Sequence, residues 1–600
     1  MILLLLAALL FPASIAVAQP FVKVTGTGPH VDEETRSLSG SWADFDGDGD
    51  IDLMVGSIGM ADLFRNDGGD FFTRVPGPPS DDTPNLANTM PIWGDYDNDG
   101  DLDVYRCVFT RDSLGGPTEP LPNQLFRNDG GTFTAVPTSN DSTYCPAASW
   151  VDYDGDGDLD LFAAGAIGSP DLMYRNDAGT FVREEGLALL GTGPGGVLPT
   201  WTDYDQDGDA DLYMVNHGSP NEMWRNLLVE SGEPGEFEVD TSSGLTSEGS
   251  VVDFAVSWGD YDNDGDLDAF LATLGADRLF RNDGAGQFTR IFGIPPVQTA
   301  VTSSCGAWGD YDNDGRLDLF VPHAPSSPRA PDLWHNDGGG NFSAADPMVV
   351  GEILDPLSGP QNAEWTDYDS DGDLDLYIVT WLASGGPGGQ AVANLLYRND
   401  ATGNHWLHVG LVGTGSNRSA IGAVVRVKAT IGGEPLWQTR EVAGGPTAFE
   451  FQRELRTHFG LGDATVVDSI VVAWPSGTVS TLTGVAVDQS LEVVEESVAS
   501  APSVTQPRRH GLRSVHPNPF LESVSIGYAL AEGSVAELAV YDVAGRLVRE
   551  LPTHHSHGGE ATSTWDGRDQ AGAEAAAGVY LVRLTTEGTE FMRKVVRLEP

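Results

Sequence analysis

The sequence is organised around Trp42-Ala-Asp-Phe-Asp-Gly-Asp-Gly-Asp-Ile-Asp52, a stretch that occurs seven times along the chain. Each copy reads Trp-x-Asp-[Phe/Tyr]-Asp-x-Asp-Gly-x-x-Asp, and the copies begin at Trp42, Trp93, Trp150, Trp201, Trp258, Trp308 and Trp365. We number each copy from its first Asp, so that carboxylates occupy positions 1, 3, 5 and 9 and glycine occupies position 6. These nine-residue segments are called loops 1 to 7 below.

The carboxylate spacing predicts a cation site in every loop. Four carboxylates within nine residues repel one another unless a cation lies between them. Calcium accepts several oxygen ligands in irregular geometry, which suits such a loop better than magnesium does. Glycine at position 6 predicts a sharp turn with positive φ, and the variable position 7 is expected to contribute only its backbone carbonyl. The alternative is that the loops are acidic, solvated turns that bind no ion.

The predicted ligands of up to seven Ca²⁺ ions are the residues at positions 1, 3, 5, 7 and 9 of each loop. They are Asp44, Asp46, Asp48, Asp50 and Asp52; Asp95, Asp97, Asp99, Asp101 and Asp103; Asp152, Asp154, Asp156, Asp158 and Asp160; Asp203, Asp205, Asp207, Asp209 and Asp211; Asp260, Asp262, Asp264, Asp266 and Asp268; Asp310, Asp312, Asp314, Arg316 and Asp318; and Asp367, Asp369, Asp371, Asp373 and Asp375.

Two other calcium motifs do not fit the pattern. An EF-hand needs a bidentate Glu at position 12, where loops 1 to 3 have Val55, Arg106 and Ala163, and apolar, strand-like residues follow instead of a helix. The nine-residue repeats of calcium β-rolls are excluded because the loops lie 50 to 57 residues apart.

The repeat length predicts the fold class. A period near fifty residues with strand patterns is typical of a propeller. Each period contains a strand ending near the Trp, a strand after the loop, an aromatic-Arg-Asn strand such as Leu63-Phe-Arg-Asn66, and a Phe strand such as Phe72-Thr-Arg-Val75. The sequence therefore predicts an all-β protein with a seven-bladed calcium-binding propeller at 19–402. The seventh repeat lacks its Phe strand, so Phe21-Val-Lys-Val24 is predicted to pair there and close blade 7.

The repeats resemble the FG-GAP/VCBS propeller family, which includes the integrin α-subunit head domains. The Asp-x-Asp-x-Asp-Gly-x-x-Asp pattern matches in all seven copies, whereas the literal Phe-Gly and Gly-Ala-Pro motifs are missing. The resemblance implies calcium in loops on one face and partner binding on the opposite face.

Two further β-sandwich domains are predicted after the propeller. Residues 403–495, with His458-Phe-Gly-Leu-Gly462 and Trp474-Pro-Ser-Gly477, resemble the ASPIC/UnbV domain of proteins like cartilage acidic protein 1. Residues 496–513 have the composition of a linker. Residues 514–600, with Val540-Tyr-Asp-Val543 and Trp565-Asp-Gly567, resemble FlgD-like immunoglobulin-fold and type IX secretion sorting domains. This resemblance implies surface delivery, with the secretion machinery as a partner, or a structural tail.

Composition and targeting signals indicate an exported protein. Residues 2–11 are an apolar run too short to span a bilayer, and Ala16-Val-Ala18 provides a cleavage site, which predicts a signal peptide at 1–18. The net charge of −57 argues against binding nucleic acid or anionic membranes. Three cysteines do not form a disulfide framework. Cys107 and Cys145 could pair or stay free, and Cys305 is expected to be a buried, free thiol.

The predicted function is non-catalytic binding of a protein or glycan by a secreted or cell-surface protein. No nucleophile elbow, zinc motif or phosphate loop is present, and the clustered carboxylates are already assigned to calcium. The ligand is expected on the face opposite the loops, at the variable connections 107–122, 182–200, 214–221, 292–304 and 380–393. The alternatives are a carbohydrate-active enzyme, such as a polysaccharide lyase or hydrolase or an accessory domain of one, and a purely structural surface protein.

Overall fold

The structure is a computed structural model that describes most of residues 21–598. The segments outside the description are 36, 59–60, 81–85, 112–116, 138–141, 167, 191–195, 217–218, 246–251, 299, 324–328, 355–359, 381–391, 401–402, 497–510, 517–519, 521–522, 531–535, 543–545, 553–558 and 587–588. The predicted signal peptide, most of the predicted linker and parts of all five variable connections therefore lie outside the described residues.

Almost all regular structure consists of strands. The first eleven strands are β1 (Phe21–Val24), β2 (Ser37–Ala43), β3 (Asp52–Ser57), β4 (Ala61–Asn66), β5 (Phe72–Val75), β6 (Leu86–Gly94), β7 (Asp103–Arg111), β8 (Pro117–Pro122), β9 (Gln124–Asn128), β10 (Phe133–Val136) and β11 (Ser142–Thr143). The next eight are β12 (Ala148–Val151), β13 (Asp160–Ala163), β14 (Leu172–Asp177), β15 (Thr180–Arg183), β16 (Gly196–Thr202), β17 (Asp211–Asn216), β18 (Glu222–Asn226) and β19 (Phe237–Val239). Eleven more complete the repeats: β20 (Asp253–Gly259), β21 (Asp268–Thr273), β22 (Arg278–Asn282), β23 (Phe288–Ile291), β24 (Ala307–Gly309), β25 (Asp318–Val321), β26 (Asp332–Gly338), β27 (Asn341–Ala344), β28 (Pro360–Thr366), β29 (Asp375–Thr380) and β30 (Leu395–Asn399).

The helices are single turns. They are α1 (Pro29–Asp32), α2 (Leu228–Ser231) and α3 (Pro347–Val350), with 3₁₀ turns at Pro295–Val297 and Gly351–Leu354. Within the described residues, no helix is long and apolar enough to cross a membrane.

Seven antiparallel sheets among the described residues each contain one loop. The core strand orders are β2-β3-β4-β5, β6-β7-β9-β10, β12-β13-β14-β15, β16-β17-β18-β19, β20-β21-β22-β23, β24-β25-β26-β27 and β28-β29-β30-β1. The first sheet also includes the short strand Phe451–Gln452, and the second sheet includes β8 and β11. In every sheet the loop connects the first strand to the second, and the Asp at position 9 is the first residue of the second strand.

The third and fourth strands pair with the same register in all seven sheets. The Asn of the aromatic-Arg-Asn strand faces the Phe of the next strand, as in Asn66 with Phe72 and Asn128 with Phe133. In the seventh sheet Asn399 faces Phe21, because β1 pairs antiparallel with β30. The N-terminal strand thus occupies the place that a fourth strand has in the other sheets.

Aromatic packing connects consecutive repeats. The ring at position 2 of one loop stacks on the Trp of the next repeat, with centroids 6.1 Å apart for Tyr261 and Trp308 and 6.4 Å apart for Tyr96 and Trp150. Trp150 and Trp308 are buried, so this packing belongs to the hydrophobic core. Cys107 and Cys145 form a disulfide, and Cys305 is a buried free thiol.

Residues 403–495 form two sheets that are compact with the repeats, so the described residues up to 496 make one unit. Their strands are β31 (His405–Val412), β32 (Val424–Ile431), β33 (Glu434–Glu441), β34 (Phe451–Gln452), β35 (Thr457–Gly462), β36 (Val467–Ala473), β37 (Val479–Val485) and β38 (Gln489–Val494). The sheets run β35-β31-β38 and β33-β32-β36-β37, and the short β34 pairs in parallel with β2 of the first repeat.

Residues 497–600 form the second unit. Its strands are β39 (Gly511–His516), β40 (Val524–Leu530), β41 (Ala536–Asp542), β42 (Leu547–Leu551), β43 (Gly559–Trp565), β44 (Gly578–Thr586) and β45 (Thr589–Arg597). They form the sheets β39-β40-β43 and β42-β41-β44-β45 around a core that includes Phe520 and Trp565. The linker predicted at 496–513 is wrong at its end, because β39 starts at Gly511 and pairs with β40. Composition alone does not reveal a strand whose partner lies further along the chain.

Candidate metal centre

All seven loops fold in the same way. The glycine at position 6 has a positive φ in every copy, between 92° at Gly157 and 107° at Gly208, as the sequence predicts. A side chain is strained in this conformation, so glycine is required there. The loop turns back sharply at this residue and brings positions 1 and 9 to the ends of adjacent strands.

Backbone N–H groups orient three of the carboxylates through hydrogen bonds that recur in every copy. The position 1 carboxylate accepts a hydrogen bond from the glycine at position 6, at 2.8 Å from Gly100 N to Asp95 Oδ2. The position 5 carboxylate accepts one from position 7, at 3.0 Å from Asp101 N to Asp99 Oδ1. The position 9 carboxylate accepts one from the Asn of the third strand, and this distance is 2.8 Å in all seven sheets.

Position 3 is different, because one of its oxygens has no partner in most loops. Oδ1 of this residue is buried and accepts no hydrogen bond from the described residues in five loops, at Asp46, Asp97, Asp262, Asp312 and Asp369. Buried carboxylate oxygens are costly unless they are paired or bind a metal ion. Carboxylate oxygens of positions 1, 3 and 5 lie within 4.8 Å of one another in loops 1 and 2, and those of positions 1, 3 and 9 do so in loops 3 and 4. This geometry and chemistry fit a hard cation with oxygen ligands.

Burial makes these carboxylates hard to ionise without a cation. It raises the pKa of Asp95 to about 6, of Asp52 to about 8 and of Asp103 to about 9. Neighbouring carboxylates raise the pKa of these groups further, and hydrogen bonds from backbone N–H groups oppose the shift. A bound cation would stabilise the ionised forms and offset the cost of burial.

The side chains at position 7 make hydrogen bonds or ion pairs in several loops. Asp158, Asp266 and Asp373 each accept a hydrogen bond from the side-chain amide at position 4 of the preceding loop, at 2.8, 2.6 and 2.9 Å. In loop 6 this position is Arg316, whose Nη1 is 2.6 Å from Asp314 Oδ2. The Asp side chains join neighbouring loops, and Arg316 partly neutralises the charge of loop 6. The backbone carbonyl therefore remains the expected ligand atom of position 7.

Loop 6 also contacts a histidine that the sequence reasoning did not single out. His335 replaces the Arg of the aromatic-Arg-Asn strand, and its Nδ1 is 3.3 Å from Asp318 Oδ1. The hydrogen bond to Asp318 raises the pKa of His335 to about 9, although burial opposes this. With Arg316, loop 6 therefore has two cationic side chains next to its carboxylates.

A ring of asparagines connects the loops of neighbouring sheets. Nδ2 of the Asn in each third strand donates a hydrogen bond to the backbone carbonyl at position 2 of the loop in the preceding sheet, at 2.7–2.9 Å. The pairs include Asn128 with Phe45 and Asn282 with Tyr204. The same bond joins Asn66 to Tyr368 of the seventh sheet, so the series runs from each sheet to the previous one and from the first to the last.

Residues 403–495 cover the side of the sheets that carries the loops, which the sequence did not predict. The Arg426 guanidinium donates to the carbonyl of Gly265 in loop 5 at 2.8 Å, and Gly462 N donates to Asn313 O in loop 6 at 2.7 Å. His458 Nε2 is 3.2 Å from the carbonyl of Gly372 in loop 7. In loop 2, Asn98 Oδ1 accepts a hydrogen bond from the backbone N–H of Arg418.

Two arginines of residues 403–495 lie where this segment contacts the loop side of the sheets. Arg453 lies 3.0 Å from the fully buried Glu364 carboxylate and from Trp308 O. Arg440 is buried beside the position 1 carboxylates Asp260 and Asp310. Arginine guanidinium groups suit such sites because they stay charged and present several donors. The acidic loops and the arginines of residues 403–495 are thus complementary in charge.

Gln452 anchors the segment at the first and second sheets. Its side chain accepts a hydrogen bond from Trp93 N at 2.7 Å and donates one to Trp93 O at 3.1 Å. The neighbouring Phe451 ring packs against Gly40, where an added Cβ would lie 2.6 Å from the ring. Glycine is therefore needed at residue 40 for this close approach.

A serine, a histidine and an aspartate lie in series at the other end of the sixth sheet. Ser303 Oγ is 3.3 Å from His323 Nδ1, and His323 Nε2 is 3.1 Å from Asp332 Oδ2. Ser303 and His323 are buried, and the Ser303 hydroxyl also donates to Asp277 at 2.7 Å. This arrangement satisfies buried polar groups between the fifth and sixth sheets.

Comparisons with known proteins agree with the order of these parts. The FG-GAP-like repeat family matches residues 44–105, 152–214 and 216–321. The ASPIC and UnbV family matches residues 413–500, and the FlgD Ig-like domain matches residues 521–590. No curated protein matches the sequence.

Among solved structures, a lectin of Agrocybe aegerita that recognises non-reducing terminal N-acetylglucosamine is 18% identical, covers 56% of this chain and 81% of its own, and has a TM-score of 0.35. A rhamnogalacturonan lyase of Bacillus licheniformis is 13% identical, with coverages of 64% and 76% and a TM-score of 0.35. The biofilm matrix protein Bap1 of V. cholerae is 12% identical, with coverages of 96% and 75% and a TM-score of 0.25. The chain therefore combines FG-GAP-like repeats with an ASPIC and UnbV domain and a FlgD Ig-like domain.

Proposed function

We propose that this protein is a secreted or cell-surface, calcium-binding, seven-bladed β-propeller that binds a protein or glycan ligand without catalysis. The seven sheets with one loop each and the asparagine bond between the first and seventh sheets support a closed ring. The predicted signal peptide and the FG-GAP-like repeats support an exported binding protein.

The observation that carries calcium binding is the buried position 3 oxygen without a partner, repeated in five loops. A solvated acidic turn has no reason to bury such an oxygen, whereas a cation ligand does. Residues at positions 1, 3, 5 and 9 would hold the ion through their carboxylates, and position 7 would hold it through its carbonyl. Calcium would supply positive charge that stabilises each turn, and we assign it no role in a reaction.

The contacts of residues 403–495 support assigning the ligand to the other end of the sheets. These residues bond to loops 2, 5, 6 and 7, so this side is occupied by the chain itself. The opposite ends carry the variable connections, and recognition usually resides in such loops on a rigid scaffold.

A binding panel tests this function. The protein without residues 1–18 is applied to immobilised polysaccharides and matrix proteins in calcium and in EGTA, and both retention and new polysaccharide chain ends are measured. We expect calcium-dependent retention that survives about 0.5 M NaCl, where ion exchange by an acidic surface is screened. New chain ends would replace this proposal with a carbohydrate-active enzyme. No retention on any surface would favour a purely structural protein.

We further propose that residues 514–600 deliver the protein to the cell surface through a secretion system. The match to the FlgD Ig-like domain at 521–590 supports an independent module at this position. Fusion of residues 497–600 to an exported reporter tests the proposal, because a delivery module carries the reporter to the cell surface. A reporter that stays in the same compartment with and without the fusion would indicate a structural tail.

A further inference from the structure

Loop 4 differs from the other loops in what covers its position 7 residue. Asp209 is 7% exposed, because the turn α2 packs over it and Val229 N donates to Asp209 Oδ2 at 2.8 Å. The position 7 residues of loops 1, 2, 3 and 5 are partly exposed, and Asp373 of loop 7 is as buried as Asp209, but no helical turn follows the third strand of its sheet among the described residues. The covering segment enters between the third and fourth strands of its sheet, where most other repeats have a short hairpin.

A glycine in the preceding loop explains why Asp209 keeps a free oxygen. In loops 3, 5 and 7 the position 7 carboxylate accepts a hydrogen bond from the amide side chain at position 4 of the loop before it. Loop 4 follows loop 3, whose position 4 is Gly155 and has no side chain to donate. Asp209 Oδ1 is consequently buried without a hydrogen-bond partner in the described residues.

The same glycine makes room for the covering turn. A Cβ at residue 155 would lie 3.0 Å from Leu228 Cδ2, which is tighter than ordinary van der Waals contact. Gly155 therefore allows α2 to approach loop 3 and loop 4. The turn carries Glu230, a carboxylate that lies outside the nine-residue pattern.

Glu230, Asp207 and Asp209 form a second acidic cluster beside the regular one. One carboxylate oxygen of each lies within 4.8 Å of the other two, separately from the cluster of Asp203, Asp205 and Asp211. Asp207 Oδ2, Asp209 Oδ1 and Glu230 Oε2 are all buried and accept no hydrogen bond from the described residues. The guanidinium of Arg225 lies near this cluster, with its Nη1 3.6 Å from the other Glu230 oxygen.

A fourth buried oxygen adjoins this cluster. Asp211 is fully buried, and its Oδ2 has no partner because Tyr204 N donates to the carbonyl of Thr202 at 3.0 Å. In the other six loops the corresponding N–H donates to the position 9 carboxylate. Loop 4 thus has the most unpaired buried carboxylate oxygens of the seven loops among the described residues.

We propose that Asp207, Asp209 and Glu230 form an additional calcium site next to the regular site of loop 4. Three converging carboxylates with buried, unpaired oxygens repel one another strongly and are stabilised by a hard divalent cation. Asp207 is position 5 of loop 4 and therefore also a predicted ligand of the regular site, so it connects the two sites. The inference deepens the proposed calcium binding and rests on it, and it adds a ligand, Glu230, that the repeat pattern does not contain.

The test compares Glu230→Gln with the matched control Glu233→Gln and with Asp97→Asn in loop 2. Glu233 lies in the same segment, is exposed and is outside the cluster, so its variant has the same change in charge and composition. Calcium bound per chain is counted by equilibrium dialysis, and thermal unfolding is recorded in calcium and in EGTA. We expect Glu230→Gln to bind one calcium fewer than Glu233→Gln and wild type.

The two melting curves separate ligation from a structural role. In EGTA, Glu230→Gln removes one charge from a repelling cluster, so its Tm should equal or exceed that of wild type. In calcium its Tm should be lower, because a ligand is lost. An equal calcium count in Glu230→Gln and wild type, or the same loss of Tm in both buffers, overturns the additional site. If Asp97→Asn loses an ion while Glu230→Gln does not, the regular loops bind calcium and this inference alone fails. A wild-type protein that binds no calcium overturns both.

Discussion

Removal of calcium should lower the thermal stability of residues 19–496 by a predictable amount. The hydrogen bond from the third-strand Asn to the position 9 carboxylate is the same in all seven loops, so the sites should have affinities of the same order. With a Kd of about 10⁻⁴ M and about 1 mM calcium, each site contributes about 1.4 kcal/mol. Seven sites contribute about 10 kcal/mol, which is comparable to the net stability of a whole domain. Loop 6 should contribute less, because Arg316 and His335 already lie against its carboxylates.

The expected change in Tm follows from the size of this unit. About 480 residues with an unfolding entropy of about 2.1 cal/mol/K each give about 1 kcal/mol per degree, so loss of about 10 kcal/mol lowers Tm by about 10 °C. Differential scanning calorimetry in about 1 mM calcium and in excess EGTA measures this shift. Calcium should restore Tm after EGTA is removed, whereas magnesium should restore little of it. Equal Tm values in calcium and EGTA would refute the metal sites and favour solvated acidic turns.

The pH dependence should have opposite signs with and without calcium. Burial raises the pKa of Asp52 to about 8 and that of Asp103 to about 9, well above the ordinary value of an aspartate side chain. Folding in EGTA therefore takes up protons, and the stability present below pH ~4 is lost as pH rises through these folded values. In calcium the ionised carboxylates bind the ion, so stability should rise from pH ~4 to ~7. Calorimetry across this range in both buffers checks the sign. A parallel dependence in both buffers would contradict it.

Three substitutions test other parts of the structure. Asn282→Ala removes a buried amide that joins two sheets and leaves two carbonyls without donors, so urea denaturation should show a loss of about 2–4 kcal/mol. Arg453→Met removes the cationic partner of the buried Glu364 carboxylate, which keeps hydrogen bonds from Trp365 and Thr447. A loss of about 2–3 kcal/mol with faster proteolysis of residues 403–495 is expected, a value reduced because Arg453 is partly exposed. Replacement of Cys107 and Cys145 by Ser opens a covalent loop of 38 residues and should cost about 3–4 kcal/mol in chemical denaturation. Unchanged unfolding midpoints would contradict each of these roles.

Local patterns in the sequence predict much of the repeat structure. The spacing of Asp and Gly predicts the turn with positive φ at position 6, and all seven glycines adopt it. The Phe-rich strands predict the fourth strand of each sheet, and Phe21–Val24 pairs with Leu395–Asn399 at the place where the seventh repeat lacks one. These features are accessible because each depends on residues within a few positions of one another and on alternation along a strand.

The asparagine bridges were not predicted, although the residues were identified in a repeated motif. Asn66 bonds to Tyr368, 302 residues away, and nothing in the motif indicates which carbonyl its amide reaches. The sequence leaves the disulfide open for the same reason, since the distance between Cys107 and Cys145 depends on how two sheets pack. The ends of predicted segments were also uncertain, as β39 shows by starting inside the predicted linker.

The sequence by itself determines the seven loops, the strand order within each repeat and the acidic residues of each loop, because the repeats specify these locally. Only the tertiary structure decides that residues 403–495 cover the loops and that Arg440 and Arg453 meet buried carboxylates there. It also decides that Glu230 lies beside Asp209, because Gly155 of the neighbouring loop 3 leaves space for the turn α2 that carries Glu230. Such contacts depend on charge and shape complementarity between segments far apart in the chain, which no local pattern of residues specifies.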